Sequence, residues 1–149
     1  LTLKPHRLFK MARSKAYLFS GVEIRWRSAV ADGDTPTEAV FHFPGGLADH
    51  LGDQIGKEAT YADRPFAGRV SFPEKFGVPG SVEWAINWTP ARDGFLHSYC
   101  NTVPTPEGGT HEGGFWTAIT KGIRAYAELA KNRKADLITR DDVATSAYA

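Results

Sequence analysis

Between Val82 and Trp88, four large apolar side chains (Val82, Trp84, Ile86 and Trp88) alternate without a break with Glu83, Ala85 and Asn87. A period of two belongs to a β-strand with one buried face, so the chain has to build a sheet and then cover that face. A second run of the same period, Phe66, Gly68, Val70 and Phe72, precedes it across a Pro- and Gly-rich loop. Arg92-Asp93-Gly94 supplies hairpin-turn residues, so Phe95 to Thr102 is expected to return antiparallel beside the 82–88 strand.

Helical periods flank these strands. Pro5 sits where a first turn tolerates it, and Leu8, Met11, Ala12 and Ala16 recur at helical spacing, which predicts a helix over 5–18. Two short strands follow, one from the alternation of Val22, Ile24 and Trp26 and one over roughly 39–43. Leu47, Leu51 and Ile55 share one face of a second helix, and Gly56 with the polar run to Pro65 marks a domain boundary. Thr110 is placed to cap a long helix with Glu112 in its first turn and an apolar stripe of Phe115, Trp116, Ile119, Ile123, Tyr126 and Leu129. Its opposite face collects Thr117, Lys121, Arg124, Glu128 and Lys131, and Thr139-Arg140-Asp141-Asp142 opens another short helix. The segments together define an α+β chain.

At 149 residues, with 42% hydrophobic and 23% charged side chains, the chain has the composition of an ordinary globular domain and no run long enough to span a bilayer. The net charge of +1 is unevenly spread. Residues 1–27 carry seven basic side chains against Glu23 alone, or +6, whereas residues 28–149 carry eleven basic against sixteen acidic, or −5. The basic end admits three readings: a polyanion-facing surface, a mitochondrial-type leader, or an ordinary solvated face. Cys100 is the only cysteine, so there is no intrachain disulfide, and a reducing, cytoplasmic setting is expected. The chain starts at Leu1 with no signal-peptide core behind it, as expected of a piece cut from a longer protein.

Self-contained chemistry is hard to find. Gly108-Gly109-Thr110-His111-Glu112-Gly113-Gly114 invites a phosphate-loop reading, but Gly114 and Phe115 stand where Lys and Ser or Thr are needed. His111-Glu112 opens a zincin motif, and Phe115 replaces its second histidine. The five histidines are scattered, so no metal site is expected, and Cys100 reads as a packed core thiol. No catalytic residue emerges.

The run SYCNTVPTPEGGTHEGGF, Ser98 to Phe115, resembles the transducer domain of the ATPase (B) subunits of bacterial type IIA DNA topoisomerases. In that family an Asn-containing strand leads through a short loop into Gly-Gly-Thr-His and a long helix. Asn101, Gly108, Gly109, Thr110 and His111 carry this signature. ARSKAYLFSGVEIRW, Ala12 to Trp26, is similar to the last helix and strand of the family's ATP-binding domain, a Bergerat-type (GHKL, Hsp90-like) fold. FHFPGGLADHL, Phe41 to Leu51, looks more like the topoisomerase IV branch than the gyrase branch.

The resemblance implies that residues 1–55 are the C-terminal part of the ATP-binding domain. Residues 56–149 would be a ribosomal-protein-like βαβ transducer domain, incomplete at its C-terminus, whose crossover is left-handed against the usual rule. It implies ATP and Mg2+ as cofactors of the parent, but the family's catalytic Glu, nucleotide-binding Asn and Asp and glycine-rich lid fall before Leu1, and its Gln-Thr-Lys loop falls after Ala149. The fragment alone is therefore expected to be inactive. Implied partners are DNA, a second copy of the subunit in an ATP-dependent dimer, and the DNA-cleaving A-type subunit; no membrane is involved, and the setting is the bacterial, nucleoid-associated cytoplasm. Lys121 and Arg124 are the candidate contacts to transported DNA, because the helix bearing them resembles a wall of the family's clamp cavity. A fragment of the gyrase ATPase subunit and a stand-alone nucleic-acid-binding module of similar fold are the competing readings.

Overall fold

The computed structural model describes residues 3–73, 77–90 and 94–149, which group by contact into two units: 1–56 with 65–85, and 57–64 with 86–149. Arg92 and Asp93 of the expected hairpin turn lie outside the described residues.

The first unit begins with helix α1 (Pro5–Leu18), with Pro5 in the first turn and Ala16 and Tyr17 on the buried side. Strands β1 (Glu23–Arg27) and β2 (Glu38–His42) form an antiparallel pair in which Ile24 faces Phe41 and Trp26 faces Ala39. The alternation read from the sequence thus puts the apolar set on one side, where Phe9 of α1 meets Trp26 and Phe41 edge-on at 5.6 and 5.0 Å. The other side is ionic: Arg25 pairs with Glu23 at 2.7 Å and Arg27 with Glu38 at 3.0 Å. Helix α2 (Leu47–Ile55) buries Leu51 and Ile55, and Gly46 and Gly56, with φ of 60° and 61°, bound it. His50 of α2 stacks on Tyr17 at 3.6 Å, which ties α2 to α1.

Strand β3 (Phe66–Phe72) pairs with β4 (Gly80–Trp88), and Gly68 exists as glycine because Trp84 occupies its side-chain space: a Cβ there would lie 2.6 Å from the indole. Residues of β4 up to Ala85 belong to the first unit, and those from Ile86 to the second.

In the second unit β4 is joined by β7 (Ala147–Tyr148), with Asn87 opposite Tyr148 and Trp88 opposite Ala147. This corrects the sequence expectation for Phe95 to Thr102. That segment does not return beside β4: β7 takes the place, and Phe95 and His97 bond to the far side of β7 through Ala147 and Ala149. The cause is steric as well as topological, since a Cβ on Gly94 would sit 2.5 Å from the Ala147 carbonyl oxygen, so only glycine lets the two backbones meet. Phe95 then stacks on Tyr148 at 4.7 Å, and the Tyr148 hydroxyl donates to Glu58 at 2.9 Å.

Helix α3 (Thr110–Leu129) ends with Lys131 at φ 56°, where Asn132 N–H bonds the Ala127 carbonyl and Lys131 N–H that of Glu128, a Schellman closure. A 3-10 turn (Ala135–Leu137) leads to α4 (Arg140–Ala144), whose capping box joins Thr139 and Asp142 reciprocally, at the start the sequence predicts. Trp88 Nε1 donates to the Val143 carbonyl at 2.8 Å and pins α4 to the sheet. Among the described residues no helix is long and apolar enough to cross a membrane.

Candidate functional site

The signature segment opens with two very short strands, β5 (Tyr99–Cys100) and β6 (Val103–Pro104), paired antiparallel through the two-residue loop Asn101-Thr102. Both loop residues have positive φ, 47° and 67°, the signature of a type I′ turn that matches the strand twist. Asn tolerates this; a β-branched Thr does so only under strain, at a cost of order 1 to 3 kcal/mol, and persists there only where its surroundings enforce it. No Asn-Gly or Asp-Gly pair marks this turn, so the hairpin is not legible in the sequence. Cys100, expected in the core, is exposed instead, because a two-residue ladder has no second layer above it.

A polar cluster enforces the turn. Thr105 N–H bonds the Ser98 carbonyl at 2.9 Å, the Ser98 and Thr105 hydroxyls meet at 2.5 Å, and Ser98 Oγ donates to the Glu112 carboxylate. The Thr105 hydroxyl also lies 3.3 Å from His111 Nε2. Hairpin and first turn of α3 are therefore stitched together by Ser98, Thr105, His111 and Glu112. The Ser98 hydroxyl is given to a carboxylate and the imidazole reaches Thr105, so Ser98, His111 and Glu112 are not ordered as a nucleophile, a base and its orienting acid.

The double glycine has two distinct reasons. Gly108 turns the chain at φ 72°, with its N–H on the Thr105 carbonyl at 2.9 Å. Gly109 is extended, and a Cβ on it would lie 2.7 Å from the His111 ring, which lies across it. Gly109, rather than Thr110, is the N-cap: Thr110 is the first helical residue, and no side chain caps the helix. The Gly109 carbonyl accepts from Glu112 and Gly113, while Glu112 supplies the anion favoured at a helix start.

Along α3 the buried positions are Trp116, Thr120 and Ala127. Tyr126 and Leu129, expected in the apolar stripe, are 74% and 82% exposed. At about 100° of turn per residue the stripe that passes through 116, 120 and 127 leaves 126 to one side and 129 near the opposite face. Lys121 and Arg124 share the polar face yet differ in surroundings. Lys121 is exposed, whereas Arg124 is half-buried and donates Nε to the Ile138 carbonyl at 2.7 Å. No group of three or more His, Cys, Asp or Glu converges among the described residues.

Comparison with known proteins agrees with this architecture. The sequence model for DNA gyrase B matches residues 46–149. The DNA topoisomerase 4 B subunit of Caulobacter vibrioides is 54% identical over 98% of this chain, and that of Bartonella bacilliformis 44% over 95%. The 43K ATPase domain of Thermus thermophilus gyrase B, solved in complex with an aminocoumarin, superposes with a TM-score of 0.74 at 27% identity, covering 99% of this chain and 38% of that one. The B subunit of Myxococcus xanthus gyrase, at 23% identity and a TM-score of 0.73, shares the fold. The chain belongs to the DNA gyrase B family. Within that family its topoisomerase IV relatives match it along nearly its whole length, and it spans 21% of the Caulobacter protein and 20% of the Bartonella one.

Proposed function

We propose that the chain is part of the ATPase subunit of an ATP-dependent type II DNA topoisomerase, of the topoisomerase IV kind, that passes one duplex through another in decatenation and relaxation. Residues 1–55 complete the ATP-binding domain, and residues 56–149 belong to the transducer that relays nucleotide state to the DNA-cleaving core. The observation that carries this reading is the 54% identity to a topoisomerase 4 B subunit over 98% of the chain. The clasp of Ser98, Thr105, His111 and Glu112 supports the signalling role, because it ties the hairpin directly to the first turn of α3.

ATP and Mg2+ are the cofactors of the parent enzyme, as the likeness to a gyrase B ATPase domain supports. The partners are DNA, a second copy of the subunit and the A-type subunit, in the bacterial, nucleoid-associated cytoplasm. Lys121 is the stronger DNA-contact candidate and Arg124 the weaker, since Arg124 already serves the Ile138 carbonyl.

The test is reconstitution: the full-length subunit that contains this chain, assembled with its A-type partner, should decatenate linked circles with ATP, and the chain alone should hydrolyse none. ATP-driven negative supercoiling would favour the gyrase reading instead, which the gyrase B family match keeps in view. Absence of any ATP-dependent change in DNA topology would remove both.

A further inference from the structure

We propose that the outer face of α1 is a contact surface for the phosphate backbone of duplex DNA, made by Arg7, Lys10 and Arg13. The choice of DNA among polyanions rests on the topoisomerase reading above; the surface itself rests on charge that the fold leaves unused. Helix α1 contains no Asp or Glu, and its first turn has none. Arg7, Lys10 and Arg13 are exposed and form no ion pair among the described residues, whereas Arg25 and Arg27 of the same unit are matched to Glu23 and Glu38. The acid beside the helix start, Asp32, is engaged by His6, whose N–H and Nδ1 lie 3.0 and 2.9 Å from its carboxylate.

Electrostatics within the helix oppose this arrangement. A cation in the first turn faces the positive end of the helix dipole, and like charges three residues apart repel. The inner face of α1, with Phe9, Ala16 and Tyr17, makes the packing contacts, and the three cations take no part in them. An external polyanion removes the repulsion. Successive cations rise about 4.5 Å along the helix, about 9 Å from Arg7 to Arg13. A duplex carries one charge per about 1.7 Å of its axis, so such a row meets several phosphates at once. Contacts of this kind position the duplex and read no sequence.

The experiment measures binding of the full chain to a short fluorescein-labelled duplex by anisotropy across a range of salt. The variant Arg7→Gln/Lys10→Gln/Arg13→Gln keeps good helix formers, and a thermal melt checks that it folds. The slope of log K against log salt should shallow by about 0.9 per lost contact, about 2.7 in all, and equally for two unrelated sequences. Arg7→Lys/Arg13→Lys should keep the slope. An unchanged slope in the folded triple variant, or no duplex binding by the wild type at low salt, overturns the surface. Displacement by polyglutamate as effective as by unlabelled duplex overturns the choice of nucleic acid. If strand passage by the assembled parent fails while the anisotropy result stands, the topoisomerase reading falls alone; the reverse pattern removes only the α1 surface.

Discussion

Arg124 Nε donates to the backbone carbonyl of Ile138 at 2.7 Å, tying the middle of α3 to the segment that enters α4. The same bond separates two residues that share one polar face. Arg124→Ala should destabilise the chain by about 1 to 2 kcal/mol, since a charged donor is lost from a half-buried acceptor, while Lys121→Ala should change stability by less than about 0.5 kcal/mol. Lys121→Ala is therefore the cleaner probe of DNA contact: in the full enzyme it should weaken DNA binding and strand passage, with a deficit that narrows as salt rises because one salt-dependent phosphate contact is gone, and with melting unchanged. Equal denaturation midpoints for the two variants would show that the Ile138 bond carries no weight in solution.

Trp116 and Leu129 belong to one helix, but Trp116 is 5% exposed and Leu129 82%. Trp116→Ala should cost about 3 to 5 kcal/mol, and Leu129→Ala should stay within about 0.5 kcal/mol in this chain. Urea titrations of both variants would decide it, and a large loss at Leu129 would contradict the helix phase described above.

Two glycines predict opposite signs. Gly122 lies within α3 with open space where a Cβ would go, so Gly122→Ala should stabilise by about 0.5 to 1 kcal/mol. Gly94→Ala would drive a methyl into the backbone of Ala147 and should lower the melting temperature sharply, because backbone cannot rotate away. Calorimetry on the pair gives the comparison directly.

Hydrogen bonds from the Thr139 side chain, and then from its N–H, hold the Asp142 carboxyl below its ordinary value of 3.8. A folded pKa below the unfolded one contributes stability that is present above about 3.8 and lost as pH falls through the lower folded value. Asp142→Asn should accordingly be less stable than wild type at pH 6 and converge on it in strong acid. Urea midpoints measured over that range should close the gap only below about pH 4, and a constant gap would mean that the carboxylate charge is irrelevant to the cap.

What could be read in advance follows how locally each feature is specified. Pro5 and the spacing of Leu8, Ala12 and Ala16 suffice for α1, and Thr139 with Asp142 suffices for the start of α4, because the deciding contacts fall within a turn or two. The place of β7 could not be read that way, since Ala147–Tyr148 is too short to display a period and its selection depends on Gly94 making room from elsewhere in the chain. The candidate site divides similarly. The glycines and the shared face of Lys121 and Arg124 are visible in sequence, but the acceptor that engages Arg124 and the Ser98–Glu112 stitch arise only once the hairpin docks on α3.

The bond between Tyr148 and Glu58 joins residues 90 positions apart, and β7 is the strand that fills the middle of the second unit's backbone ladder. During synthesis the aromatic and polar surface of β4 and the Phe95 segment therefore emerges from the ribosome well before the strand that will sit between them. This half of the molecule has to wait, exposed, for its keystone. The first unit draws on no residue beyond Ala85, so its own contacts do not wait for that strand.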